Sequence, residues 1–168
     1  MKRNIKLFFL VFLSFTLLVG CQGNSDSADV KTNQREFMPR MPDNPEKPYK
    51  SEEAIKNGDV VNNHGNISNF EKFEDFIANV RANKKDNIRI TAYTTEGDPI
   101  FYNLQYDGTN IQYTFDNSQD GFAGQDKGKK STTCSKIEKK SVDTGVEYYL
   151  SGCSSEDVGN TFYFNVHK

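Results

Sequence analysis

Histidine and cysteine are scarce in this chain, and basic charge is not in surplus. The 168 residues include two histidines, three cysteines and a formal net charge of −2. Each shortage excludes something. His167 is penultimate, where a fraying end is expected. His64 lies in the turn-like Asn62-Asn63-His64-Gly65, near Asp59, and reads as a surface loop residue. A general base there would need a nucleophile beside it, and the sequence places none. Carboxylates are plentiful, but no spacing singles out an acid–base pair. No C-x-x-C is present, so a redox motif is missing. G-x-x-x-x-G-K-[ST] is absent too, although Gly124, Gly128 and Lys129 come superficially close. The chain therefore predicts no enzyme, no catalytic residue, no metal site and no cofactor. With no concentrated basic surface, it predicts no nucleic-acid partner and no polybasic grip on anionic lipid.

What is present begins at the N-terminus. Lys2, Arg3 and Lys6 precede an apolar stretch from Leu7 to Val19. Leu18-Val19-Gly20-Cys21 then follows the pattern at which bacterial lipoproteins are cleaved and acylated. A charged n-region, an apolar h-region and a small residue before the cut make residues 1–20 a signal peptide. The apolar run is short for a membrane span. The expected mature protein starts at Cys21, carries a palmitate-type lipid there, and is held on the extracytoplasmic face of the cell membrane. It would have 18 basic and 23 acidic residues, a net charge of −5, because the removed segment carries three basic residues and no acid. With Cys21 acylated, Cys134 and Cys153 are left to form a disulfide in an oxidising compartment. The alternative is a cleaved signal without lipid, which leaves Cys21 a free thiol.

Residues 21–50 read as a disordered, proline-rich tether. Gln22 to Asp29 is small and polar, and Pro39, Pro42, Pro45 and Pro48 recur every third residue. Polyproline II has three residues per turn, so these prolines would line one edge of an extended rod. The rod is either a semi-rigid spacer or a docking strip. At about 3.1 Å per residue, residues 22–50 reach roughly 90 Å when fully extended.

Residues 51–168 predict a single domain. Ser51 to Lys56 is a short helical turn with Ser51 as N-cap and Gly58 closing it. A longer helix starts at Ser68, where Ser68 and Glu71 form a capping box. Phe70, Phe73, Phe76, Ile77 and Val80 share its apolar face. Alternation then takes over. Ile88, Ile90, Ala92 and Thr94 face one way, and Arg89, Thr91, Tyr93 and Thr95 the other. After a turn at Glu96-Gly97-Asp98, Ile100, Tyr102 and Leu104 continue the apolar face. A two-residue turn at Asp107-Gly108 would set Leu104 opposite Ile111, Tyr102 opposite Tyr113 and Ile100 opposite Phe115. A second hairpin turning at Asp143-Thr144 would set Cys134 opposite Cys153, Ile137 opposite Leu150 and Lys140 opposite Glu147, the lysine on the same side as the cysteines. Directly opposed cysteines suit a cross-strand disulfide, here a structural staple. Phe162, Phe164 and Val166 alternate in a last strand. The predicted fold is α+β: one main helix packed on an antiparallel meander of about six strands, with a cystatin-like wrap as one shape that fits.

Two places read as candidate binding sites. The first is a pair on the sheet face away from the helix. With a three-residue loop, Tyr93 opposes Phe101 among Thr91, Asn103, Gln105 and Thr114. The pair is either a cross-strand stabiliser or the anchor of a binding patch. The second is the glycine-rich loop from Asn117 to Lys130, which holds Gly121, Gly124 and Gly128 among charged residues. A long connection inside a meander is functional or disordered. Asp116-Asn117-Ser118-Gln119-Asp120-Gly121 imitates the first half of a calcium loop. The twelfth position, where a bidentate Glu is needed, is Lys127. Asp116, Asp120, Gly121, Gln125 and Asp126 are the loop's candidate ligand-binding residues, and a polar glycine-rich turn is the competing reading.

Several of these segments resemble a family of small, uncharacterised lipoproteins of Bacillus-type bacteria, a domain of unknown function. They are Asn57-Gly58-Asp59-Val60-Val61, the Glu96-Gly97-Asp98-Pro99 turn, Asp116 through Gly128, and Cys134 with Ser151-Gly152-Cys153. The resemblance spans roughly Ser51 to Val166. It implies a Gram-positive setting and no mechanism. The expected function is a membrane-anchored binding or interaction module for an envelope or secreted protein. The alternatives are a small-ligand or calcium sensor using residues 116–130, or an enzyme of unknown type.

Overall fold

The computed structural model describes residues 43–45 and 47–167. The expected signal peptide, Cys21, and Pro39 and Pro42 of the tether lie outside those residues. Among the described residues no helix is long and apolar enough to cross a membrane.

Eight strands form one sheet. They are β1 (Val60–Asn63), β2 (Asn66–Ser68), β3 (Asp86–Tyr93), β4 (Pro99–Tyr106), β5 (Ile111–Asp116), β6 (Lys129–Val142), β7 (Gly145–Cys153) and β8 (Tyr163–His167). Their spatial order is β2-β1-β3-β4-β5-β6-β7-β8. The helices are α1 (Ser51–Asn57), α2 (Phe70–Arg81) and α3 (Glu156–Gly159). β1 runs parallel to β3, with Val60 beside Ile90. The other neighbouring pairs are antiparallel.

This corrects the expected fold. The molecule is mostly sheet, an eight-stranded and nearly closed barrel-like sheet with small helices, rather than one main helix on a six-stranded meander. The strands that were missed, β1 and β2, are four and three residues long. They are too short to show a period. Closure is visible in the core, which draws Val60 from β1, Ile90 from β3, Leu104 from β4, Tyr113 from β5, Cys134 from β6, Leu150 from β7 and Phe164 from β8. Helix α2 follows one edge strand in sequence yet touches the far end of the sheet. Phe73 lies 4.8 Å from the Tyr148 ring and 4.7 Å from Phe164.

The α2 face is as expected. Phe73, Phe76 and Ile77 are buried, with Phe70 and Val80 packed beside them. Its start differs. Ser68 ends β2, and Asn69 takes the N-cap position in a left-handed conformation without a side-chain cap bond. The Asn69 amide instead donates to the Asp59 carbonyl at 2.8 Å and the Ile55 carbonyl at 2.9 Å. Contacts to a neighbouring segment displace the local capping box. In α1, likewise, Lys50 rather than Ser51 is the N-cap, while Gly58 ends the helix as expected.

Two registers shift. Tyr106, not Leu104, pairs with Ile111, because Asp107 to Asn110 form a longer loop in which the Asp107 carboxylate accepts from the Thr109 and Asn110 amides. Thr91, not Tyr93, pairs with Phe101. The β6–β7 hairpin keeps the expected register: Cys134 faces Cys153, Ile137 faces Leu150 and Lys140 faces Glu147. The disulfide is formed. One detail departs from simple alternation. Both cysteines pack with Leu150 and Ile137 against the core rather than on the Lys140 side. Ser135 and Gly152 drop out of the ladder between them, and Gly152 has φ 61°, which reverses the facing of the strand.

Candidate functional site

On the other face of the sheet lies a second, smaller core of Tyr49, Ala54, Val61 and Phe101, with Tyr93 against it. Tyr49 belongs to the segment expected to be tether, and residues nearby also hold to the domain. Gln119 donates to the Pro45 carbonyl, Asn44 to Asp116, and Lys47 pairs with Asp98. Below Tyr49 is the buried carboxylate Asp59. The Tyr49 hydroxyl donates to its Oδ2 at 3.0 Å and the Thr91 hydroxyl at 2.7 Å. Burial raises the Asp59 pKa, and the Thr91 bond and the nearby Arg89 charge only partly oppose that rise. Tyr93 donates to the Tyr49 carbonyl at 3.0 Å, and burial raises its phenol pKa as well.

Asp59 opens on its far side into a cleft of about 410 Å³. Lys72, Asp75 and Asn79 line it from α2, at the i, i+3, i+7 spacing that puts residues on one helix face. Asp86 and Arg89 line it from β3. Lys72 Nζ donates to the Gly58 carbonyl at 3.0 Å, and Asn79 donates to Asp86 at 2.8 Å. Asp75 is exposed and Arg89 is buried. The cleft thus sets both signs of charge around a polar space of small-molecule size. The sequence reading missed it, because its residues are spread from Asn57 to Arg89. The available signal was the polar stripe of α2 beside its apolar face.

The two expected sites look different in three dimensions. Phe101 has no exposed surface. Tyr49 lies 5.9 Å from its ring and the Arg89 guanidinium 5.7 Å over it. Tyr93 and Phe101 do share one cluster, but as parts of a core covered by α1 and Tyr49, not as anchors on a wet face.

The loop is shorter than expected, since Lys129 and Lys130 already belong to β6. Its acidic groups hold the loop itself together. Buried Asp116 accepts from the Ser118 amide at 2.8 Å and pairs with Lys129 at 3.4 Å. Asn117 closes the base by accepting from the Gly128 amide at 2.7 Å. Asp120 accepts from the Phe122 amide, and Gly121 donates to Asp98, both at 2.7 Å. Asp126 pairs with Lys130 at 3.0 Å, and Gln125 is exposed. Among the described residues no three of His, Cys, Asp and Glu gather as a metal ion would require. Phe122 stands 78% exposed in this loop.

Fold and cleft together define a small, disulfide-stapled β-domain with a polar recess. The chain belongs to the family described as Domain of unknown function (DUF4362), whose model matches residues 57–149. That bears out the resemblance to an uncharacterised family, and every residue lining the cleft lies within the matched span. No curated protein and no solved structure matches the chain.

Proposed function

We propose that this protein is a lipid-anchored binding module on the extracytoplasmic face of a Gram-positive cell membrane, and that it takes a small hydrophilic ligand in the cleft between α2 and β3. The cleft carries the reading. It combines buried Asp59 and Arg89 with exposed Lys72 and Asp75 around about 410 Å³. Such a recess suits a ligand bearing charge or several hydrogen-bonding groups. Anchoring is supported by Cys21 and the apolar segment before it.

The test is a thermal-shift screen of the purified protein against amino acids, sugars and small organic acids. A true ligand raises the melting temperature with concentration. That rise should vanish in Asp75→Ala, whose exposed position leaves the fold intact. A ligand that stabilises Asp75→Ala equally would place binding elsewhere. For the anchor, Cys21→Ser should move the protein from the membrane fraction to the soluble one. Retention of that variant on the membrane would refute lipid attachment at Cys21.

A second reading is favoured by Phe122. An aromatic ring this exposed in a loop held by its own hydrogen bonds suits the anchor of a protein contact, with an envelope or secreted protein as partner.

A further inference from the structure

The outward face of β7 and β8 carries a different arrangement. Tyr148 and Phe164 pack on the core. Alternation therefore turns Tyr149 and Tyr163 outward, and the register sets these two tyrosines directly opposite each other. Tyr163 is 56% exposed, one of three exposed large apolar side chains among the described residues. In the adjacent row Lys140, Glu147 and Asn165 lie side by side. Lys140 Nζ donates to Glu147 at 2.6 Å and sits 5.8 Å over the Tyr149 ring. Glu138, across the ladder from Tyr149, holds that phenol's pKa above its ordinary value. The Asn165 side-chain oxygen Oδ1 is buried without a hydrogen-bond partner among the described residues. A cleft of about 360 Å³ opens here, lined by both tyrosines and Asn160.

Three features narrow what this cleft accepts. Tyr163 offers an exposed aromatic face with a polar tip. The two charges lining the cleft, Lys140 and Glu147, neutralise each other, so an ion finds no unmatched charge. Glu147, Lys140 and Asn160 still offer acceptors and donors at the edge. A pyranose ring presents the complement: an apolar C–H face and a rim of hydroxyls that both donate and accept. We infer that this face binds a neutral glycan, with a sugar ring stacked on Tyr163 and its hydroxyls turned to Glu147, Lys140 and Asn160. The site is separate from the Asp59–Asp75 cleft and does not depend on that cleft having a ligand.

The chain has eight tyrosines, of which only Tyr149 and Tyr163 are placed on this face, so binding is read by isothermal titration calorimetry. The full chain is titrated with chitotriose, cellotriose and maltotriose up to about 10 mM. At least one should bind saturably. Tyr163→Ala should weaken it at least about tenfold, and Tyr163→Phe, which keeps the ring, should stay within about twofold. Asn160→Ala, at an exposed position, should also weaken binding, and it carries the test if Tyr163→Ala proves poorly folded. Asp75→Ala should leave it unchanged. No binding of any of the three sugars overturns the inference. So does binding that survives both Tyr163→Ala and Asn160→Ala. Binding lost only in Asp75→Ala overturns it as well, and places the sugar in the α2–β3 cleft instead.

Discussion

Asp59 and Asp116 are both buried carboxylates, and their surroundings push them in opposite directions. Burial raises the Asp59 pKa beyond what its partners recover. Burial also acts to raise Asp116, but the Ser118 hydrogen bonds and the Lys129 charge outweigh it, and its pKa is lowered. The linkage signs follow. The ionised Asp59 costs stability once pH exceeds its raised value, and acidification through that value recovers it. Asp116 contributes stability that is full above its ordinary value of 3.8 and is lost as pH falls through its depressed folded value. Asp116→Asn would turn an amide donor toward Asn44 and Lys129, both donors already. It should cost about 1–3 kcal/mol at neutral pH. Urea titrations should show that cost constant above the ordinary value of 3.8 and shrinking as pH falls below it through the depressed folded value. A cost that does not change with pH would mean the ionised form has no special role.

Helix α3 and the β6–β7 hairpin act as one element because the disulfide lies between them. Gly159 packs so closely that a Cβ there would stand 2.5 Å from Cys153 Sγ. Gly159→Ala should destabilise by about 1–3 kcal/mol through overpacking. Removing the bridge with Cys134→Ala/Cys153→Ala should cost about 3 kcal/mol, since it releases a loop with a sequence separation of 19. The two changes should not add. Without the sulfurs the 2.5 Å overlap is gone and only the Cβ of residue 153, at 2.9 Å, still crowds the new methyl, so a double-mutant cycle should show a coupling of at least about 0.5 kcal/mol. Strict additivity would mean that α3 does not rest on the bridge. The element scale also shows what alternation can settle. It gave the correct inward set for α2 and β3. It could not choose between registers two residues apart, because a shift of two leaves every side chain on the same face. Both register errors, at Asp107 and at Tyr93, are shifts of two.

Across the whole molecule, the decisive feature is that the sheet is covered on both faces near β1, β3 and β4. Tyr49 and α1 bury the face that alternation marks as wet. Tyr49 is the keystone, 2% exposed and linked by its hydroxyl to Asp59. Tyr49→Ala should cost about 3–5 kcal/mol and lower the thermal midpoint by roughly 10 °C. Circular dichroism melts would check this, and an unchanged midpoint would show that the segment before α1 is not docked. The same covering explains why the Tyr93–Phe101 patch was misread. Thr91, Asn103 and Thr114 look like solvated neighbours in sequence, but Thr91 is fully buried against Asp59.

The sequence alone determined the core-facing sides of α2 and of β3, where the β6–β7 hairpin turns, and which cysteines pair. These follow from periods of 2 and 3.6 residues and from one turn, all of them local. Only the tertiary structure decided the rest. The parallel addition of β1 to β3, the near-closure of the sheet around α2, and the polar clefts at Asp59 and at Tyr163 all depend on contacts between residues far apart in the chain. Such contacts leave no period to read. Asp59, Asp75 and Arg89 meet because α2 crosses back over β3, and Tyr149 meets Tyr163 because β8 returns beside β7.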